Sequence, residues 1–204
     1  MSTRIRSRVL LFSIATLACM CIATPAEAHM NSTGLGPSYD GLMHFLLSPE
    51  DIGPVLALAL LGGLRGADNG RRAMFVLPAA WFVGGLVGAA ATSVGAHPIV
   101  SACWFLLLGG LLAADAKLSL RATAALASLV GVYHGYMNGA GLGVSGTSVV
   151  VLLGLVFGVF VLATFAAAFV VRLRAPWARI GVRVAGSWIA AIGLLMLGWA
   201  ARKG

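Results

Sequence analysis

Continuously apolar stretches recur along the chain at about 49–65, 72–92, 98–116, 119–137, 147–171 and 180–201, each followed by a short polar or glycine-rich break. Each approaches the roughly 20 residues a helix needs to cross the hydrocarbon core of a bilayer. The runs do not alternate with a period of two, as the strands of a membrane barrel must, so they predict helices. A further stretch, 41–48, is apolar but too short to cross, and is expected to re-enter the membrane as a half-helix. Ser48 is placed to cap the next helix, Pro49 to be its first residue, and Glu50 and Asp51 to lie where the helix dipole favours negative charge. Pro54 cannot donate to the carbonyl of Glu50 and is expected to kink this span.

The beginning of the chain follows a different pattern. Arg4, Arg6 and Arg8 precede an apolar run from Val9 to Ile22, and Thr24-Pro25-Ala26-Glu27-Ala28 then supplies a helix breaker and an A-x-A cleavage signal. The expected fold is therefore an all-α membrane protein: a signal peptide over residues 1–28, then one domain over 29–204 built as a six-transmembrane-helix bundle. Cleavage after Ala28 makes His29 the first residue of the mature chain, where its α-amine and imidazole together form a chelate for a borderline metal.

Composition agrees with a membrane setting. Of 204 residues, 60% are hydrophobic and 10% charged, against roughly 25% charged in soluble domains. The balance of 14 Lys and Arg against 6 Asp and Glu leaves a net charge of +8. These cations stand singly or in pairs between apolar runs instead of forming a basic face, which excludes nucleic acid as a partner. Their positions predict a topology instead, because cytoplasmic loops retain Lys and Arg. Arg65, Arg71, Arg72, Lys117, Arg121, Arg172, Arg174, Arg179 and Arg183 flank alternate connections, while 29–48, 93–97 and 138–146 carry none. The mature N-terminus is thus expected on the periplasmic face of a bacterial inner membrane, with only Arg202 and Lys203 breaking the rule. Small residues at every fourth position (Gly84/Gly88, Gly131/Gly135/Gly139, Gly154/Gly158) predict close helix packing.

Candidate chemistry collects on the outward side. His29, Asp40, His44, Glu50 and Asp51 lie before or at the start of the first span, His97 at the start of the third, and His134 near the outer end of the fourth, one helical turn before Asn138. Asp68 and Asp115 fall on the opposite side, where Arg and Lys can pair with them. Imidazoles and carboxylates without competing cations suit a divalent cation, and imidazole favours nickel, cobalt, copper or zinc over magnesium or calcium. Any one histidine alone reads more readily as a polar residue at a helix end, and His134 equally well as an interhelical hydrogen-bonding group. Taken together, the metal-ligand candidates are His29, Asp40, His44, Glu50, Asp51, His134 and Asn138. An enzyme is not expected: the chain shows no Ser/His/Asp or Cys/His arrangement with a plausible base, and Cys103 sits in an apolar span where a thiol normally packs.

With these residues in view the chain resembles the HupE/UreJ family, membrane proteins associated with hydrogenase and urease maturation and regarded as nickel permeases. His29 matches the first His of the mature protein, His44 the His of an early His-Pro…Gly-x-Asp-His motif, and His134-Gly135 opens a later His-Gly-x-x-His-Gly-x-Glu motif. Asn69-Gly70-Arg71-Arg72, followed by an apolar span with Pro78, is similar to the family's second helix. The departures fall on ligands. Phe45 stands in place of Pro, Glu50-Asp51 in place of Asp-His, Asn138 in place of the second His, and Gly141 in place of Glu. The resemblance implies transmembrane transport of a divalent transition metal, most naturally nickel, captured at the periplasmic face. Its rival is a non-transporting accessory or assembly protein, with the bilayer, the metal ion and either a second copy or an accessory protein as partners.

Overall fold

The computed structural model describes residues 33–91, 97–144 and 149–202, and every structured element among them is a helix. The order is α1 (Pro37–Leu47), α2 (Pro49–Arg65), α3 (Ala67–Ala89), α4 (Pro98–Ala113), α5 (Leu120–Val144), α6 (Val149–Arg172) and α7 (Pro176–Ala201). The proposed signal peptide and His29 lie outside the described residues.

The all-α class holds, but the six-transmembrane-helix bundle does not. Among the described residues three helices, α3, α6 and α7, are long and apolar enough to cross a membrane, or up to four spans if α1 and α2 together form one broken span. The reason differs for each helix that drops out. At 16 residues, α4 rises only about 24 Å, less than a hydrocarbon core of about 30 Å. The 17-residue α2 is joined to α1 through a bend of 76°. Although 25 residues long, α5 carries Tyr133, His134, Tyr136 and Asn138 in its C-terminal half.

That 76° bend lies at Ser48, and α2 continues through Pro54. Ser48 stands at the N-cap position of α2 without capping it, because its hydroxyl turns back to donate to the carbonyl of His44 at 2.7 Å. The expected half-helix over 41–48 is present as α1, which begins four residues earlier, at Pro37.

Around α2 the other helices assemble. Val55, Leu58, Leu61 and Ala57 are fully buried and Leu60 and Leu64 nearly so, so α2 is apolar on all sides because all its sides are covered. The remaining packing is made by glycines. Along α5, Gly131, Gly135 and Gly139 lie against the backbone of Leu77, Trp81 and Gly85, which runs α3 and α5 side by side in the same direction. Gly41 and Gly154 bring α1 onto α6, and Gly109, Gly186 and Gly193 bring α4 onto α7 in opposite directions. A side chain at any of these positions would meet main chain rather than a yielding side chain.

Charged and polar groups separate to the two ends of this bundle. At one end the C-termini of α2 and α4 present carbonyls that arginines of α7 satisfy: Arg179 donates to Leu64 O at 2.8 Å and Arg183 to Ala113 O at 3.0 Å. Arg65 pairs with Asp115, Arg71 with Asp68, and Asn69 donates to Leu118 O at 3.1 Å. The acids expected to find cationic partners have them. Near the opposite end lie His44, Asp51 and Asn138.

Candidate metal site

Two consecutive helices, α1 and α2, and the distant α5 bring four polar side chains together. The bend at Ser48 turns the end of α1 back over the start of α2, so His44 and Asp51 face the same neighbour, α5. There His134 and Asn138 are one turn apart, and the side-chain amide of Asn138 donates to the carbonyl of His134 at 2.9 Å. Asp51 Oδ1 lies 2.9 Å from His134 Nδ1, and Asp51 Oδ2 accepts from Asn138 Nδ2 at 3.0 Å. Asn138 Oδ1 in turn lies 3.2 Å from His44 Nε2. The result is one connected chain, His134–Asp51–Asn138–His44.

The inner half of that chain is dry. Asp51 is 4% exposed and His134 3%. Asp51 is the third residue of α2, where the unpaired backbone amides and the helix dipole favour a negative charge. The His134 ring stacks on the indole of Trp81, with centroids 5.4 Å apart, and meets the edge of Tyr133. Phe45 closes the far side of Trp81. Among the described residues, His134 Nε2 is buried without a hydrogen-bond partner.

The other expected ligands fall elsewhere. Glu50 is exposed, yet close enough to His44, Asp51 and His134 to interact with them electrostatically. Asp40 is engaged outside the cluster, accepting from the backbone N–H and the hydroxyl of Thr33 at 2.6 and 2.7 Å. His97 stands at the N-cap position of α4 without a side-chain capping bond, and Cys103 is free and exposed. Among the described residues no group of three or more His, Cys, Asp or Glu stands close enough to hold a metal ion by itself. What is assembled is a pair of imidazoles buttressed by a carboxylate and an amide.

Trp81 is the contributor that sequence reading passes over, since a tryptophan in an apolar span looks like packing. Its signal lay in Gly135. A Cβ there would come within 2.1 Å of Trp81 O, so the glycine beside His134 is what lets α3 slide close enough to lay the indole on the imidazole.

Several apolar helices of membrane length around a buried histidine–carboxylate pair define a multi-pass helical membrane protein with a polar cluster toward one end. The family model for HupE / UreJ protein matches residues 17–196, and the chain belongs to that family. Membership places it with accessory and permease-type proteins rather than with enzymes. No curated protein and no solved structure matches the chain.

Proposed function

We propose that the protein captures a divalent transition-metal ion at the His44–His134 end of the bundle and carries it across the membrane, with nickel the favoured cargo and cobalt, copper or zinc its chemical neighbours. One observation carries this reading: His134 is buried, backed by Asp51 at Nδ1, and left without a partner at Nε2. An ionisable pair inside an apolar bundle costs several kcal/mol and marks function more often than packing. A carboxylate behind an imidazole is also the usual support of a metal-ligating histidine, because it fixes the ring and raises its basicity. Imidazole nitrogen selects borderline transition metals over magnesium and calcium. Membership in the HupE/UreJ family supports the same cargo.

In this reading His44 and His134 are the ligands and Asp51 and Asn138 support them. Exposed Glu50 draws cations toward the cluster, aided by Asp40 and by His29 once a signal peptide of residues 1–28 is removed. The arginines and lysines of the connections gather at the far end of the bundle, Arg202 and Lys203 of the C-terminal tail apart, so the positive-inside rule supports a periplasmic position for the cluster in a bacterial inner membrane. A potential of about 100 mV, negative inside, is worth about 2.3 kcal/mol per charge, or about 4.6 kcal/mol for a divalent ion, which supports about a thousandfold accumulation.

Uptake of radioactive nickel, cobalt and copper into proteoliposomes tests the proposal. Saturable uptake, increased by an inside-negative potential and lost in His44→Ala and His134→Ala, is the expected result. Metal bound without flux would favour the accessory role, and neither binding nor flux would end the metal-handling reading.

A further inference from the structure

The hydrogen bonds around Asn138 determine which nitrogen of each histidine carries a proton. One terminal atom of the Asn138 side chain lies 2.9 Å from the carbonyl of His134 and 3.0 Å from Asp51 Oδ2. A carbonyl and a carboxylate oxygen both accept, so the atom facing them must be the amide nitrogen, and its two protons are used there. The other terminal atom is therefore the amide oxygen, which has no proton to give. It faces His44 Nε2 at 3.2 Å. His44 must then be the donor, protonated at Nε2, with its lone pair on Nδ1.

At His134 the same logic gives the opposite answer. Asp51 sits in the first turn of α2, where the helix dipole favours the ionised carboxylate, and an ionised carboxylate only accepts. His134 donates to it from Nδ1 across 2.9 Å. The lone pair is left on Nε2, the atom that is buried without a partner.

We propose that Asn138 is a positioning residue which, together with Asp51, holds His44 and His134 in opposite tautomers, leaving Nδ1 of His44 and Nε2 of His134 as the nitrogens with a free lone pair for a divalent transition-metal cation. This deepens the metal-handling reading and rests on it for the identity of the ligand. Asn138 and Asp51 act here as supports: both amide protons and the amide oxygen of Asn138 are engaged within the network, and each carboxylate oxygen of Asp51 accepts one hydrogen bond. Two neutral imidazoles whose lone pairs are set before the cation arrives need no proton shift to bind it. A cation that prefers oxygen gains little from such a pair.

The tautomers can be read without any metal. The full chain, labelled with nitrogen-15 histidine, is placed in lipid nanodiscs at about pH 8.5, above the ordinary imidazole range. Nitrogen NMR then distinguishes Nδ1–H from Nε2–H, and loss of signals in His44→Ala assigns that residue. The expected result is Nε2–H for His44 and Nδ1–H for His134. Asn138→Leu should release His44 into a mixture of tautomers while His134, still held by Asp51, keeps its own. It should also weaken nickel binding by about 10- to 100-fold, as loss of a ligand-supporting group does.

Finding Nδ1–H at His44 in the wild-type protein, or unchanged His44 signals in a folded Asn138→Leu variant, would overturn the assignment. The wild-type spectrum decides the matter even if the variant does not fold. Opposite tautomers in a protein that binds no nickel would leave Asn138 as a positioning residue and bring down the metal-handling reading alone.

Discussion

Replacing Asp51 by leucine isolates the energetic role of the buried cluster. The carboxylate accepts from His134 Nδ1 at 2.9 Å and from Asn138 Nδ2 at 3.0 Å, and the two paired residues are nearly inaccessible to water. Leucine accepts nothing, so one donor of each partner is stranded, at about 1–3 kcal/mol apiece. The double replacement Asp51→Leu with His134→Leu behaves differently. It removes both members and strands only one amide proton of Asn138, so its total cost should be about 1–3 kcal/mol. The second replacement should therefore relieve the first. Unfolding in mixed micelles, titrated with a denaturing detergent and followed by helicity, measures all three variants. Single-variant costs that add to the double within about 0.5 kcal/mol would refute the coupling.

Two glycines of α5 give opposite expectations in the same assay. Gly135→Ala drives a Cβ to within 2.1 Å of Trp81 O and should cost at least about 1–3 kcal/mol by overpacking, with reduced nickel uptake as the indole leaves His134. Gly141→Ala meets nothing within 4 Å and should be neutral or stabilising by up to about 1 kcal/mol, because alanine loses less chain entropy in a helix. At the other end, Arg179→Ala removes the 2.8 Å bond to Leu64 O and should cost about 1 kcal/mol while leaving metal uptake intact.

Much of this architecture is written in one-dimensional pattern, and some is not. Helix α2 begins and ends where its apolar run does, and the pairing of Asp68 and Asp115 with arginines follows from their sharing one end of the bundle. The small residues of α3, α5 and α6 mark the packed seams they occupy. Counting spans from apolar runs fails because the same run length serves two purposes. In α2, 17 apolar residues are demanded by burial within protein on all sides, and α4 is apolar but too short. Helix α5 extends to Val144, past the end of its apolar run at about 137, because glycines seated on α3 carry it onward. Within the cluster, spacing could place His134 and Asn138 on one face, but not tell which of His44, Asp40, Glu50 and Asp51 would meet them. That depended on the 76° angle of the bend at Ser48: Ser48 and Pro49 mark a helix break there, but not its direction.

The two positions where the chain departs from its family's histidines turn out to touch. The resemblance leads to an imidazole at 51 and another at 138; the chain has Asp51 and Asn138, and they bond to each other at 3.0 Å. With asparagine at 138, the amide nitrogen donates to Asp51 Oδ2 while the amide oxygen faces His44 Nε2. Asp51 and Asn138 thus form one hydrogen-bonded support where the resemblance implies two imidazoles. Residues in direct contact are coupled, so replacing both by histidine should have a coupled effect. Asp51→His alone strands the donor of Asn138 and removes the acceptor of His134, and Asn138→His alone removes the bridge to His44. Made together they should bind nickel more tightly than the sum of the single effects allows, by a coupling of about 1 kcal/mol or more for residues in direct contact. Calorimetric titration of nickel into the four proteins measures it. Strictly additive affinities would mean that 51 and 138 act independently, and that their contact is packing alone.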